Sequence, residues 1–232
     1  MIKIYDIAQN NSFSTLTNGI VFEKTIPGRK VAILANELSP LPLVRTTTKY
    51  DNFPQLFTPE IKSLIGALPA GFRVNNIMAE IYSDQSNKMR FHSDQALDLE
   101  SGSLIGIFSC YSSANVGIRN LIIRDKTTLA QTDCIEMTEG SFIVFSLKFN
   151  KLYQHKIILD AGRRNGAGEW LGLTMRLSKT LITFINESAY FANGEPLTLA
   201  TAEQKKEFMR LKARENKEAD FDYSGISITY SL

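Results

Sequence analysis

The sequence predicts a mainly β protein of the α+β class, a double-sheet jelly roll with flanking helices. Three observations predict it. From residue 74 onward, short runs rich in Ile, Val, Phe and Thr recur between Gly, Asn, Asp and Ser turns. No helical pattern separates these runs, which disfavours a doubly wound βαβ sheet. Finally, 232 residues with 44% hydrophobic and 22% charged side chains suit one ordinary domain and exclude a disordered or collagen-like chain.

Residues 1–30 mix short apolar pieces with Asn, Ser, Thr and Gly and read as irregular strands and turns. A short strand is predicted at 31–34, and the Pro-punctuated SPLPLVRTTTKY suits an extended strand over 43–48. Thr58-Pro59-Glu60 is a helix start: a capping hydroxyl, a proline at the first helical position and an acid in the first turn. Ile61, Leu64, Ile65 and Leu68 supply the apolar stripe, and Pro69 with Gly71 ends it.

Strands then follow at 74–82, 103–111, 118–124, 134–137, 141–147, 155–159 and 170–184, the last in one or two pieces. Glu139-Gly140 reads as a compact turn returning one strand onto the next. Residues 201–220 are rich in helix formers and charge, with Phe208 and Leu211 as a thin apolar edge, and predict a solvated helix packed on the domain. The expected organisation is an N-terminal extension (1–41) packing on a core (42–185), followed by a C-terminal helical tail (186–232).

Lys plus Arg number 26 against 24 Asp plus Glu, so charge alone demands neither nucleic acid nor a membrane surface. Cys110 and Cys134 lie in apolar stretches and read as buried free thiols of a reducing compartment, the cytoplasm. The N-terminus lacks a basic start followed by a long apolar run, so no signal peptide is expected. No window approaches ~18 uninterrupted apolar residues, so no membrane span is expected.

The chain has only two histidines, His92 and His155. In the extended segment Arg90-Phe91-His92-Ser93-Asp94, positions two apart project to one side, so His92 and Asp94 can serve one ion. His155 opens a later apolar strand, far enough along for the sheet to fold back and deliver a third ligand. Two imidazoles and one carboxylate leave one face of an octahedral ion open, an arrangement that suits ferrous iron. Downstream, Arg176 and Ser178 lie two apart in a strand-like segment, a guanidinium fork plus a hydroxyl that suits a carboxylate.

The order HxD, His, RxS resembles that of the Fe(II)/2-oxoglutarate-dependent oxygenases, and within them the AlkB-like branch. The resemblance is carried by VNNIMAEIY (74–82), MRFHSD (89–94), SLIGIFS (103–109), EGSFIVF (139–145), His155 and LGLTMR (171–176), with VRTTTKY before the core. It spans roughly residues 42 to 180 and implies a double-stranded β-helix core. It also implies Fe(II) held by His92, Asp94 and His155, with 2-oxoglutarate bound by Tyr82, Arg176 and Ser178. The co-substrates would be 2-oxoglutarate and O2, and the reaction hydroxylation or oxidative demethylation with release of succinate. This chain departs from the branch in having Glu80 where an Asn is usual, Trp170 where a second Arg is usual, and Gln95-Ala96 where acids follow the HxD.

On the substrate side, Tyr50, Phe53 and Phe57 lie where such proteins build a lid, and Lys88, Arg90, Arg163 and Arg164 could meet an anion. Residues 161–168 (AGRRNGAG) read as a mobile gate. Two substrate classes remain open, a modified nucleobase (with nucleic acid as a partner) and a small metabolite or amino acid. The alternative class is a non-catalytic β-sandwich binding module with a vestigial metal site. Zinc in a hydrolase is a poorer third, because no Glu accompanies either His in an HExxH pattern. The oligomeric state is left open.

Overall fold

The computed structural model describes residues 2–7, 12–43, 53–85, 89–160, 168–186, 188–197 and 201–223. Two facing antiparallel sheets form the predicted jelly roll. The large sheet is built from β1 (Ile2–Asp6), β2 (Glu23–Ile26), β3 (Arg29–Ala35), β6 (Asn76–Ser83), β7 (Leu104–Tyr111), β10 (Ser141–Ser146) and β12 (Glu169–Arg176). Their order is β1-β10-β7-β12-β6-β3-β2, with the short β5 (Gln55–Leu56) parallel to β3. The facing sheet is β11-β8-β9, formed by β8 (Arg119–Asp125), β9 (Gln131–Met137) and β11 (Tyr153–Leu159). A third small sheet joins β4 (Leu41–Pro42), β13 (Leu181–Ile185) and β14 (Ser188–Phe191).

Strand alternation sorts side chains into two apolar layers. On β12, Leu171, Leu173 and Met175 face the layer that also holds Leu16 and α2 (Pro59–Gly66), while Trp170 faces the layer between the sheets. There it meets Tyr82, Ile105, Ile107, Leu121, Ile123, Ile143 and Phe145. Burying each such aliphatic or aromatic side chain contributes about 1.5–3 kcal/mol. Gly172 makes room for the indole: a Cβ there would lie 2.2 Å from the Trp170 ring.

Helix α2 follows its sequence signals closely. The Thr58 side chain accepts from Ile61 N, Pro59 opens the helix, and Ile61 and Leu64 are buried. The C-terminal helix α4 (Ala202–Lys217) carries a Thr201/Gln204 capping box and buries Phe208, Leu211 and Glu215.

Several expectations are corrected. The first thirty residues supply β1 and β2, paired to β10 and β3, and a short helix α1 (Phe13–Thr17) capped by Ser12. A helix does occur between strands: α3 (Leu147–Leu152), capped by Ser146 Oγ on Phe149 N, redirects the chain from the large sheet to the small one. The Glu139-Gly140 turn makes no hairpin, because β9 pairs with β8 while β10 pairs with β7 and β1. Gly140, at φ 74°, lets the chain cross between the layers there. Cys110 is buried, but Cys134 is exposed because β9 is an edge strand. The strand expected over 43–48 falls, apart from Leu43, outside the described residues. Among the described residues no helix is long and apolar enough to cross a membrane.

Candidate metal centre

The site is assembled by a backbone bridge between distant segments. His92 N donates to His155 O at 2.9 Å, and His155 N donates to His92 O at 2.7 Å. Residues that exchange both bonds in an antiparallel pair bring their side chains to one side. The two imidazole rings accordingly lie 4.5 Å apart. Asp94 completes the group: its Oδ1 is 3.8 Å from His92 Nε2 and 3.7 Å from His155 Nε2. The three ligand atoms lie within 4.8 Å of one another.

The hydrogen bonds around the triad suit a cation. His92 Nδ1 lies 3.0 Å from Arg90 O, which assigns the proton to Nδ1 and leaves Nε2 for an ion. Arg176 donates from Nε (2.9 Å) and Nη2 (2.7 Å) to Asp94 Oδ2, leaving Oδ1 turned to the imidazoles. Burial by itself raises the Asp94 carboxyl, but Arg176 above all, then the two imidazoles, outweigh it and hold the carboxyl at about 2. Burial, reinforced by His92, lowers His155 to about 3 against the opposing pull of Asp94. An ionised Asp94 beside a neutral His155 is the protonation state a metal requires of those two groups. Asp94 and His155 are buried, whereas the His92 side chain keeps 39% exposure, so the centre opens on the His92 side.

Two helices, α3 and α4, hold the loop around Asp94. Asn150, on α3, accepts from Asp94 N and donates to Asp94 O. From α4, Asn216 Oδ1 accepts from Ser93 N at 2.8 Å, and Glu215 Oε1 accepts from Ala96 N at 2.9 Å. Lys126 Nζ donates to Glu215 O at 2.7 Å, and Tyr223 bonds the Glu215 carboxylate.

The other expected residues lie as follows. Tyr82 is buried on β6 and its hydroxyl donates to Glu80 Oε1 at 2.9 Å. Burial, with Glu80 adding to it, pushes the Tyr82 phenol up, so it stays protonated. Glu80 is paired, with Arg29 Nε and Nη2 donating to the same oxygen at 2.9 and 2.5 Å. The Ser178 hydroxyl donates to Leu43 O and accepts from Thr180 N. Phe57 belongs to the core layer beside α2 rather than to a lid, while Phe53 is exposed and meets Phe184 edge-on at 5.4 Å. Arg90 is exposed, and Tyr50, Lys88, Arg163 and Arg164 lie outside the described residues, as does the gate segment apart from Gly168.

Sequence reasoning missed Arg29, Asn150, Glu215, Asn216 and Arg119. For Arg119 a signal existed, since a charged residue shares the inward alternation of Leu121 and Ile123.

No family model and no curated protein matches the sequence. A solved structure described as that of OsALKBH1 is similar to this chain at 15% identity and a TM-score of 0.45, covering 70% of this chain and 88% of that one.

Proposed function

We propose that the protein is an Fe(II)- and 2-oxoglutarate-dependent dioxygenase that hydroxylates, or oxidatively demethylates, a C–H-bearing group. The single observation that supports the reading most is the sharing of Asp94 between two imidazoles on Oδ1 and a guanidinium on Oδ2. His92, Asp94 and His155 would hold ferrous iron. Bound iron supplies oxygen activation, coupling R–H, O2 and 2-oxoglutarate to R–OH, succinate and CO2.

The protein's own residues do the rest. Arg176 fixes the Asp94 carboxylate so that one oxygen faces the ion, and Asn150 fixes the backbone behind it. The Tyr82 ring, fixed by its hydroxyl on Glu80, and the apolar layer around Trp170 shape the site and exclude water. Arg29 neutralises Glu80, so the carboxylate at that position does not repel an anionic co-substrate.

The test is anaerobic addition of Fe(II) and 2-oxoglutarate, followed by oxygen. A metal-to-ligand absorption band and succinate release are expected, and both should vanish in His92→Ala and Asp94→Ala. Absence of both in the wild-type protein favours the vestigial binding module. Succinate release across modified nucleosides, oligonucleotides and amino acids separates the two substrate classes. A nucleic-acid substrate should also bind with affinity falling steeply with salt.

A further inference from the structure

A cavity of about 420 Å³ lies between α3, the turn before β7 and the C-terminal end of α4. Its wall carries three lysines and no arginine: Lys126, just beyond β8, and Lys148 and Lys151 on α3. Lys126 is only 5% exposed. Among the described residues its ammonium bonds one neutral acceptor, Glu215 O at 2.7 Å, and makes no ion pair. Burial lowers its pKa, with Glu215 opposing and Lys151 adding, so two ammoniums repel each other at this wall. A buried cation beside a like charge is costly unless an anion compensates it. The carboxylates around the cavity are committed: Glu215 to Ala96 N and Tyr223, Glu218 to both prongs of Arg214, and Asp222 is likewise engaged. Ser103 adds a donor. It lines the cavity, is 8% exposed, and its hydroxyl has no hydrogen-bond partner among the described residues.

We propose that this cavity binds a small phosphomonoester, its phosphate held by Lys126, Lys148, Lys151 and Ser103 and its organic body by the apolar wall of Leu147 and Phe221. A phosphate brings close to two negative charges and three terminal oxygens, which suits several point-like ammoniums. A planar carboxylate is matched best by an arginine fork, and no arginine lines this cavity. The volume falls in the ordinary range for small-molecule pockets and exceeds what a bare phosphate fills, so the ligand carries a body beyond its charged group.

Two residues of the lining connect this site to the metal centre. Asn150 bonds both backbone groups of Asp94, and Glu215, whose carbonyl receives Lys126, holds Ala96 N through its carboxylate. A ligand that fixes α3 against α4 therefore fixes the Asp94 loop, and by linkage the phosphomonoester and the metal each tighten the binding of the other. This coupling rests on the metal-centre reading above, whereas the binding site does not.

The full chain, stripped of metal so that the His92–Asp94–His155 centre cannot hold an anion through an ion, is titrated calorimetrically with phenyl phosphate, inorganic phosphate and benzoate. Phenyl phosphate should bind most tightly, with inorganic phosphate and benzoate each weaker by about tenfold. The double variant Lys148→Gln/Lys151→Gln should lose about tenfold or more in phenyl phosphate affinity, and Ser103→Ala a few-fold. Lys148 and Lys151 are exposed and the Ser103 hydroxyl is unpartnered among the described residues, so these variants keep the fold. No binding of phenyl phosphate to wild type, undiminished binding in the double variant, or benzoate binding equally well each overturns the site. Mn(II) titration with and without phenyl phosphate then reads the coupling. The metal should bind about fivefold or more tightly with the ester in wild type and not in the double variant, where association of phosphate with free Mn(II) is the same. Equal shifts in both proteins overturn the coupling alone. A wild type that binds no Mn(II) overturns the metal centre and with it the coupling, while the calorimetry still decides the site.

Discussion

Asn150 grips Asp94 by both of its backbone groups: the carboxamide Oδ1 accepts from Asp94 N at 2.8 Å and Nδ2 donates to Asp94 O at 2.7 Å. Both residues are buried, so neither bond is replaced by water if lost. A six-residue helix thereby sets the position of the candidate metal-ligating carboxylate far away in sequence.

Asn150→Leu should cost about 2–4 kcal/mol, because it strands one buried N–H and one buried C=O. The same variant should weaken Mn(II) binding by about tenfold, since the residues behind a ligand control its aim. Urea unfolding and metal titration measure the two effects separately. Unchanged metal affinity at reduced stability would confine Asn150 to a packing role.

Arg176→Met should be more damaging than Arg176→Lys. Removing the guanidinium leaves Asp94 buried beside only two imidazoles, at a cost of about 3–5 kcal/mol. Lys restores charge but not the two-pronged contact on Oδ2. Thermal unfolding of the three proteins without added metal should rank wild type above Lys above Met.

Asn216→Ala and Glu215→Gln test the C-terminal helix as a clamp. Asn216→Ala removes the acceptor for Ser93 N beside Asp94, and about 1–2 kcal/mol and a several-fold loss of Mn(II) affinity are expected. Glu215→Gln keeps an acceptor for Ala96 N and should cost less. Equal and negligible effects in both variants would show that α4 merely covers the loop.

The tail also carries a pH dependence. Burial lowers Lys126 to about 8 from 10.5, Glu215 opposing and Lys151 adding to the effect. Between those values the unfolded chain holds a proton that the folded chain has released, so stability rises with pH across that window. Lys212, lowered to about 8 chiefly by burial, contributes with the same sign. Urea midpoints at pH 8, 9 and 10 should climb in wild type and climb less in Lys126→Met.

Gly172→Ala should displace Trp170, because the added methyl would meet the ring at 2.2 Å. Overpacking of this kind costs about 1–3 kcal/mol. A red-shifted Trp170 emission, from loss of its burial and its bond to Ser109, is the accompanying signature.

By itself the sequence determined what local chemistry can determine. Period-two apolar runs marked the central strands, Thr58-Pro59 marked α2, and the i, i+2 spacing of His92 and Asp94 placed two candidate ligands on one side. Alternation and capping act over a few residues, so they are legible in a window of that size. The tertiary structure alone decided what depends on strand order and on distant partners. Short N-terminal pieces became β1 and β2 because β10 and β3 offered them edges, and Glu139-Gly140 crossed between sheets because β9 and β10 found different neighbours. Glu80 gained its compensating charge from Arg29, Asp94 gained Arg176, Asn150 and the α4 contacts, and Arg119 came to lie against Tyr82 and Trp170. The physical reason is that pairing register and buried charge are settled by which segments meet, and a polar residue gives no sign in its own neighbourhood of the partner that will satisfy it.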